Sequence, residues 1–256
     1  MPTSFKQFFV FLFLVFSITA IAQPSRFSTR LYTTSTGDTL RYRQANPDNA
    51  SGKKYPLIIF LHGSGERGND NEAQLKWGVM NFVSDQMMLN HPAFIIAPQC
   101  PSNNGWSNFT RPKNTADSRM NAEPLKPMAL VLALIQDLIK KQQIDTSRIY
   151  ITGLSMGGFG VYDAIMRNPH LFAAAVPVCG GGDISLAPTI AHLPIWIFHG
   201  ANDPTVSPAY SVDMLNALTK AGAHPGITFY PGVGHLSWLG AYADPVMIEW
   251  LFSQHK

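Results

Sequence analysis

Gly153-Leu154-Ser155-Met156-Gly157 fits the pattern G-x-S-x-G, a serine framed by two glycines. The pattern alone is short, so its surroundings decide its meaning. An apolar run, Arg148 to Thr152, leads directly into it, and a helical stretch with Gly158 and Gly160 at its start leads out. A strand, a sharp turn and a helix lift a serine hydroxyl to the carboxyl edge of a sheet, where flanking glycines let the backbone turn. The competing reading, a phosphate-binding glycine loop, requires G-x-G-x-x-G or G-K-[ST]. Neither pattern is matched here, and the motif follows the third main strand instead of the first. Ser155 is therefore the candidate nucleophile.

A serine hydroxyl attacks only when a base takes its proton, and that base needs an acid to hold its tautomer. His235 ends Pro231-Gly232-Val233-Gly234-His235, just beyond the apolar run Ile227 to Tyr230, whereas His255 is next to the terminus. His235 is the expected base. Asp203 lies shortly after the run Ile195 to Phe198 and directly before Pro204, which makes it the expected acid. Asp183, in Gly180-Gly181-Gly182-Asp183, is the substitute, with a turn-capping role as its structural alternative. A developing oxyanion needs two fixed donors, each worth roughly 3 kcal/mol in such sites. The backbone N–H of Met156 supplies one. The other is expected from Leu61-His62-Gly63-Ser64-Gly65-Glu66-Arg67-Gly68, with Ser64 first and Gly65 second, while His62 reads as a loop-bracing hydrogen bonder.

These residues need a scaffold. Leu57 to Leu61, Phe94 to Ala97, Arg148 to Thr152, Ala173 to Val178, Ile195 to Phe198 and Ile227 to Tyr230 read as buried parallel strands. Helical patterns fall between them: Pro124 to Lys141, Phe159 to Arg167, a helix opened by Ser207-Pro208, and a last one from Asp244-Pro245. Leu31 to Thr34 and Thr39 to Arg43 alternate around Gly37-Asp38, as an edge hairpin does. The alternation of strand and helix predicts one α/β domain with a mostly parallel sheet. The longest irregular stretch, Cys100 to Glu123, is expected to wall the site. Within it, Trp106 is read as a flat face offered to a sugar or aromatic ring, the alternative being an anchor of the loop on the sheet. The connection Cys179 to Pro194 is too short for a helical cap, so an open cleft is expected.

The chain has 256 residues, 46% hydrophobic and 14% charged, enough for one large core. Nineteen basic and 16 acidic residues give a formal charge of +3 with no long basic run, so nucleic acid is not an expected partner. Lys6, the apolar stretch Phe8 to Phe16 and Ala20-Ile21-Ala22 read as a signal peptide over residues 1–22, leaving a domain over 23–256 that is secreted or periplasmic without stable membrane insertion. Cys100 and Cys179 are too few for a disulfide framework and are expected to stay unpaired. No C-x-x-C or H-E-x-x-H occurs, and the expected chemistry uses no metal and no cofactor.

The motif set Leu61 to Gly68, Ala97-Pro98-Gln99-Cys100-Pro101, Ile144 to Gly158, His199-Gly200-Ala201-Asn202-Asp203 and Gly234-His235 resembles exported bacterial serine esterases of the α/β-hydrolase superfamily. The nearest group is the predicted peptidase or phospholipase/carboxylesterase-like one, akin to feruloyl and acetylxylan esterases and poly(hydroxybutyrate) depolymerases. The resemblance implies an α/β-hydrolase fold without a large lid domain. It also implies hydrolysis of small-molecule or polysaccharide-linked esters by Ser155, His235 and Asp203, with the Ser64 and Met156 amides as oxyanion donors. Two other readings remain beside it: a serine peptidase of the same fold, and a non-catalytic carbohydrate- or partner-binding relative.

Overall fold

Apolar runs rich in branched and aromatic residues become the strands of one sheet in the computed structural model, which describes residues 26–48, 52–112 and 114–256. The expected leader, residues 1–22, lies outside the described residues. The strands are β1 (Ser28–Thr33), β2 (Thr39–Ala45), β3 (Tyr55–Leu61), β4 (Phe94–Pro98), β5 (Ile144–Leu154), β6 (Ala174–Val178), β7 (Trp196–Gly200) and β8 (Gly226–Tyr230). They form an eight-stranded sheet in the order β1-β2-β4-β3-β5-β6-β7-β8. The β1/β2 hairpin pairs antiparallel to the rest through β2 and β4, and every later pairing is parallel. Parallel neighbours need crossover connections, and helices supply them on both faces.

Side-chain alternation in β3 shows why its sequence is continuously apolar. Leu57, Ile59 and Leu61 enter one core, and Ile58 and Phe60 enter the other. α1 (Asp85–Asn90), a short helix that no sequence pattern above predicts, contributes Met88 to the second core. α2 (Lys126–Lys141), α3 (Met156–Arg167) and α4 (Ala209–Lys220) cover the first face through Met128, Leu134, Ile165 and Met214. α5 (Trp238–Ala241) and α6 (Pro245–Ser253) cover the second through Trp238, Met247 and Leu251. Asp244 caps α6 by accepting from the Val246 amide, with Pro245 at the first helical position where its missing N–H costs nothing. Among the described residues no helix is long and apolar enough to cross a membrane.

Among its described residues, the loop from Cys100 to Glu123 holds an isolated bridge, Phe109 to Met120, and a 3-10 turn, Thr115–Asp117. Polar anchors fix it. Asp163, buried in α3, accepts from the Asn108 amide at 2.9 Å and pairs with Arg167 at 2.7 Å, while Arg167 also donates to the Asn121 and Ala122 carbonyls. Cys100 and Cys179 are both buried and unpaired. They belong to cores on opposite faces, and β3 and β5 lie between the strands that precede them, so the sheet itself keeps the sulfurs apart.

Candidate active site

β5 ends at Leu154 and α3 begins at Met156, so Ser155 must turn the chain alone. It does so at φ 53° and ψ −115°, a conformation L-residues rarely adopt and one that costs of order 1–3 kcal/mol. Its amide donates to the Val178 carbonyl at 2.9 Å, which ties the turn to β6. Glycine is required on both sides for closeness. A Cβ at Gly157 would collide with the Leu61 carbonyl oxygen, and one at Gly153 would lie 2.6 Å from the Gly157 oxygen.

The turns after β7 and β8 bring Asp203 and His235 to the same edge. His235 Nδ1 lies 2.6 Å from Asp203 Oδ2, and His235 Nε2 lies 2.9 Å from Ser155 Oγ. With Nδ1–H donating to the carboxylate, Nε2 is left to accept from the hydroxyl. Burial would raise the Asp203 carboxyl, but the His235 hydrogen bond and the Val206 and Thr205 amides outweigh it and hold the group below its usual value. A second histidine backs the acid: buried His199 places Nε2 3.4 Å from Asp203 Oδ2. Cys179 Sγ also lies within 4.8 Å of the Asp203 and His235 ligand atoms. Burial pushes that thiol up to about 12, and both His235 nitrogens are engaged, so the donor set suits proton transfer better than metal binding.

Ser64 opens a 3-10 turn, Ser64–Glu66, and Met156 opens α3. Amides at helix starts have no partner within the helix and carry a partial positive charge. Both residues line, with Ser155, a cleft of about 560 Å³ that Gly65 does not line. The loop bearing Ser64 is braced by His62, which is 1% exposed. Its Nε2 accepts from the Cys100 amide at 2.9 Å, and Nδ1–H donates to the Gly63 carbonyl at 2.6 Å. Burial drives its pKa down to about 4, which keeps this bracing ring neutral.

One expectation needs correction. Trp106 is fully buried and presents no face to the cleft. Its Nε1 donates to the His62 carbonyl at 3.0 Å, its ring meets the His62 ring edge-on at 5.2 Å, and it fills space left open by Gly160. An indole in a mostly polar loop gains most by burying its apolar body where its N–H finds an acceptor, so Trp106 anchors the loop. Asp183, the substitute acid, takes the turn-capping role that was its alternative, while Asp203 meets His235. Asp183 accepts from the Ser185 amide at 3.0 Å and the Met120 amide at 2.9 Å, capping one turn and pinning the long loop. His199 and Arg67 stand inside motifs quoted above but, like Arg111, carried no role of their own in the sequence. A lone histidine inside the apolar strand Trp196–Gly200 was the available signal for the first; for the arginines, membership of the two loops expected to build the site was the only one.

An α/β-hydrolase fold with a hydrogen-bonded Ser–His–Asp row at the carboxyl edge of its sheet is shared by a broad class of hydrolases. Within it, this chain belongs to the phospholipase/carboxylesterase family, whose model matches residues 46–243. A solved thermostable esterase is 39% identical, with a TM-score of 0.83, and the match covers 90% of this chain and 64% of that one. Lysophospholipase-like protein 1 of Mus musculus is 33% identical over 138 residues, 51% of this chain and 56% of its own. A bifunctional acetylxylan esterase/xylanase of Neocallimastix patriciarum is 24% identical over 152 residues, 59% of this chain and 20% of its own. The chain therefore spans less than two thirds of the length of each of these relatives.

Proposed function

We propose that the protein hydrolyses carboxylic esters through an acyl-enzyme on Ser155. His235 Nε2 takes the hydroxyl proton as Oγ attacks the ester carbonyl, and the Met156 and Ser64 amides hold the resulting oxyanion. The imidazolium returns that proton to the departing alcohol. Water, deprotonated by the same nitrogen, then cleaves the acyl-enzyme and restores Ser155. Asp203 stays ionised throughout and fixes His235 in the required tautomer. The observation that carries this reading is His235 bridging Asp203 at 2.6 Å and Ser155 at 2.9 Å.

The substrates are short-chain or carbohydrate-linked acyl esters, a choice supported by the polar cleft and by the acetylxylan esterase among the relatives. A fluorophosphonate probe tests the nucleophile: the folded protein should acquire one adduct on Ser155, and none should form in Ser155→Ala. Absence of any adduct on the native chain would favour a binding protein. Faster cleavage of aminoacyl amides than of matched esters would favour a peptidase. The protein is also proposed to be exported, on the strength of Lys6, the apolar stretch Phe8 to Phe16 and Ala20-Ile21-Ala22. Amino-terminal sequencing of the mature protein should begin at Gln23, and an intact Met1 would overturn this.

A further inference from the structure

The cleft beside Ser155 is lined by two guanidinium groups, Arg67 and Arg111, and by no acidic side chain. Elsewhere Arg26, Arg43, Arg148 and Arg167 each pair with a carboxylate. Among the described residues neither cleft arginine has such a partner. Arg67 Nε is shut away from solvent with no hydrogen-bond acceptor. Arg111 sits over the Phe159 ring at 4.0 Å and gives one hydrogen bond, from Nη2 to Ser107 Oγ at 3.0 Å. A guanidinium offers five N–H donors in a fixed fork, so among the described residues most of this donor capacity has no acceptor. The two groups are also near enough for Arg67 to act on Arg111, like charge against like. An arrangement that leaves donors open and sets like charges together is relieved by an oxyanion, which a guanidinium fork binds through paired, charge-assisted hydrogen bonds.

We propose that Arg67 and Arg111 form an anion subsite of the ester cleft, so that preferred substrates carry a carboxylate or phosphate on the moiety lodged beside Ser155. Phe159 and Ser107 hold Arg111 in place, and the Ser64 turn directly precedes Arg67, so charge recognition and the oxyanion donor share one loop. The inference rests on the ester-hydrolase reading and narrows its substrate class.

The test compares matched esters that differ by one anionic group: 4-nitrophenyl hemiadipate against 4-nitrophenyl hexanoate, and 1-acetylglycerol 3-phosphate against 1-acetylglycerol. The first pair places a carboxylate on the acyl side and the second a phosphate on the alcohol side. The anionic member of at least one pair should have the higher kcat/KM by about tenfold, about 1.4 kcal/mol. That ratio should collapse towards one in Arg111→Gln and Arg67→Gln, survive better in Arg111→Lys, and shrink in 0.5 M salt. Melting temperatures identify a variant that fails to fold, in which case the other carries the comparison. Ratios near one for both pairs in the native protein, or a preference unmoved by either substitution, would overturn the subsite. If neither neutral ester is turned over, or Ser155→Ala retains the activity, the ester-hydrolase reading itself fails.

Discussion

His199 Nε2 lies 3.4 Å from Asp203 Oδ2, the same oxygen that meets His235 Nδ1 at 2.6 Å. The His199 ring is oriented by Ser211 Oγ at 2.6 Å on Nδ1, and its Nε2–H donates to the Val206 carbonyl at 3.0 Å. Val206 in turn donates its amide to Asp203 Oδ1 at 3.0 Å. The turn that carries the acid is thus closed on itself through His199. Burial lowers the pKa of this histidine, so the ring stays neutral beside the carboxylate. His199 is a positioning residue: His199→Ala should lower kcat about tenfold with little change in KM, and cost about 2 kcal/mol of stability through the lost hydrogen bonds and the cavity. Unchanged kcat beside a fallen melting temperature would reduce His199 to a structural part.

Ser155→Ala, His235→Ala and Asp203→Asn should each cut kcat by several orders of magnitude while leaving the circular dichroism spectrum native, because such residues act as a unit. Asp183→Asn, which alters a loop anchor and leaves Asp203 and His235 untouched, should keep kcat within a few fold and cost about 1–2 kcal/mol. The reverse pattern between Asp203→Asn and Asp183→Asn would reassign the acid.

Acid should destabilise the fold earlier than carboxylate protonation would. Burial lowers His62 to about 4 and lowers His199 as well, whereas both return to about 6.5 in the unfolded chain. Below pH 6.5 the unfolded state therefore binds protons that the folded state refuses, and stability falls as the pH drops towards 4. For His62 alone the loss amounts to roughly 3 kcal/mol over that window. Urea midpoints measured from pH 7.5 to 4.5 should show this slope, and His62→Gln should make it shallower by up to one proton. An equal slope in the variant would mean that His62 is not the group refusing the proton.

Trp106 fills space between the long loop and α3, and Trp106→Ala should cost about 3–5 kcal/mol, as large buried aromatics do. Trp106→Phe keeps most of the packing and loses the hydrogen bond to the His62 carbonyl, about 1 kcal/mol. Neither change should move the preference between aromatic and acetyl esters. A selective rise in KM for hydroxycinnamoyl esters in Trp106→Phe would return the indole to the substrate cleft.

The sequence was most legible where one local requirement dominates. Ser155 stands out because only glycines tolerate the approach of Leu61 to Gly157, and His235 and Asp203 because each follows an apolar run that must be a strand. Trp106 was misread because composition cannot say which way a side chain points from an irregular loop. The anchors that turn it inward, Asp163 to Asn108 and Asp183 to Met120, span 55 and 63 residues. The role of His199, though the residue stands in a quoted motif, was not legible since its partners lie on the following turn and on α4, a juxtaposition that exists only after β7 joins the sheet. Arg67 and Arg111 are far apart in the chain and meet only across the cleft, where no local pattern announces them.

Chain-length selectivity follows from what covers Ser155. The segment between β6 and β7 contains one 3-10 helix, Ile184–Ile190, and its Ala187 and Ile190 pack into the core beneath α2 to α4 instead of reaching over the nucleophile. The cleft walls that remain are largely polar, with Asn103, Asn104 and Ser107 beside the two arginines. A long acyl chain gains about 0.8 kcal/mol for each methylene it buries in an apolar tunnel, and a cleft whose polar lining outweighs Phe109, Leu125 and Phe159 supplies less of that surface than a tunnel would. Acetyl or hydroxycinnamoyl esters should therefore exceed palmitoyl esters by at least about tenfold in kcat/KM, roughly 1.4 kcal/mol of transition-state binding. The comparison needs substrate concentrations below those at which the long-chain ester aggregates. A preference for palmitoyl over acetyl esters, or a jump in rate at an oil surface, would show that an apolar path and a movable cover exist after all.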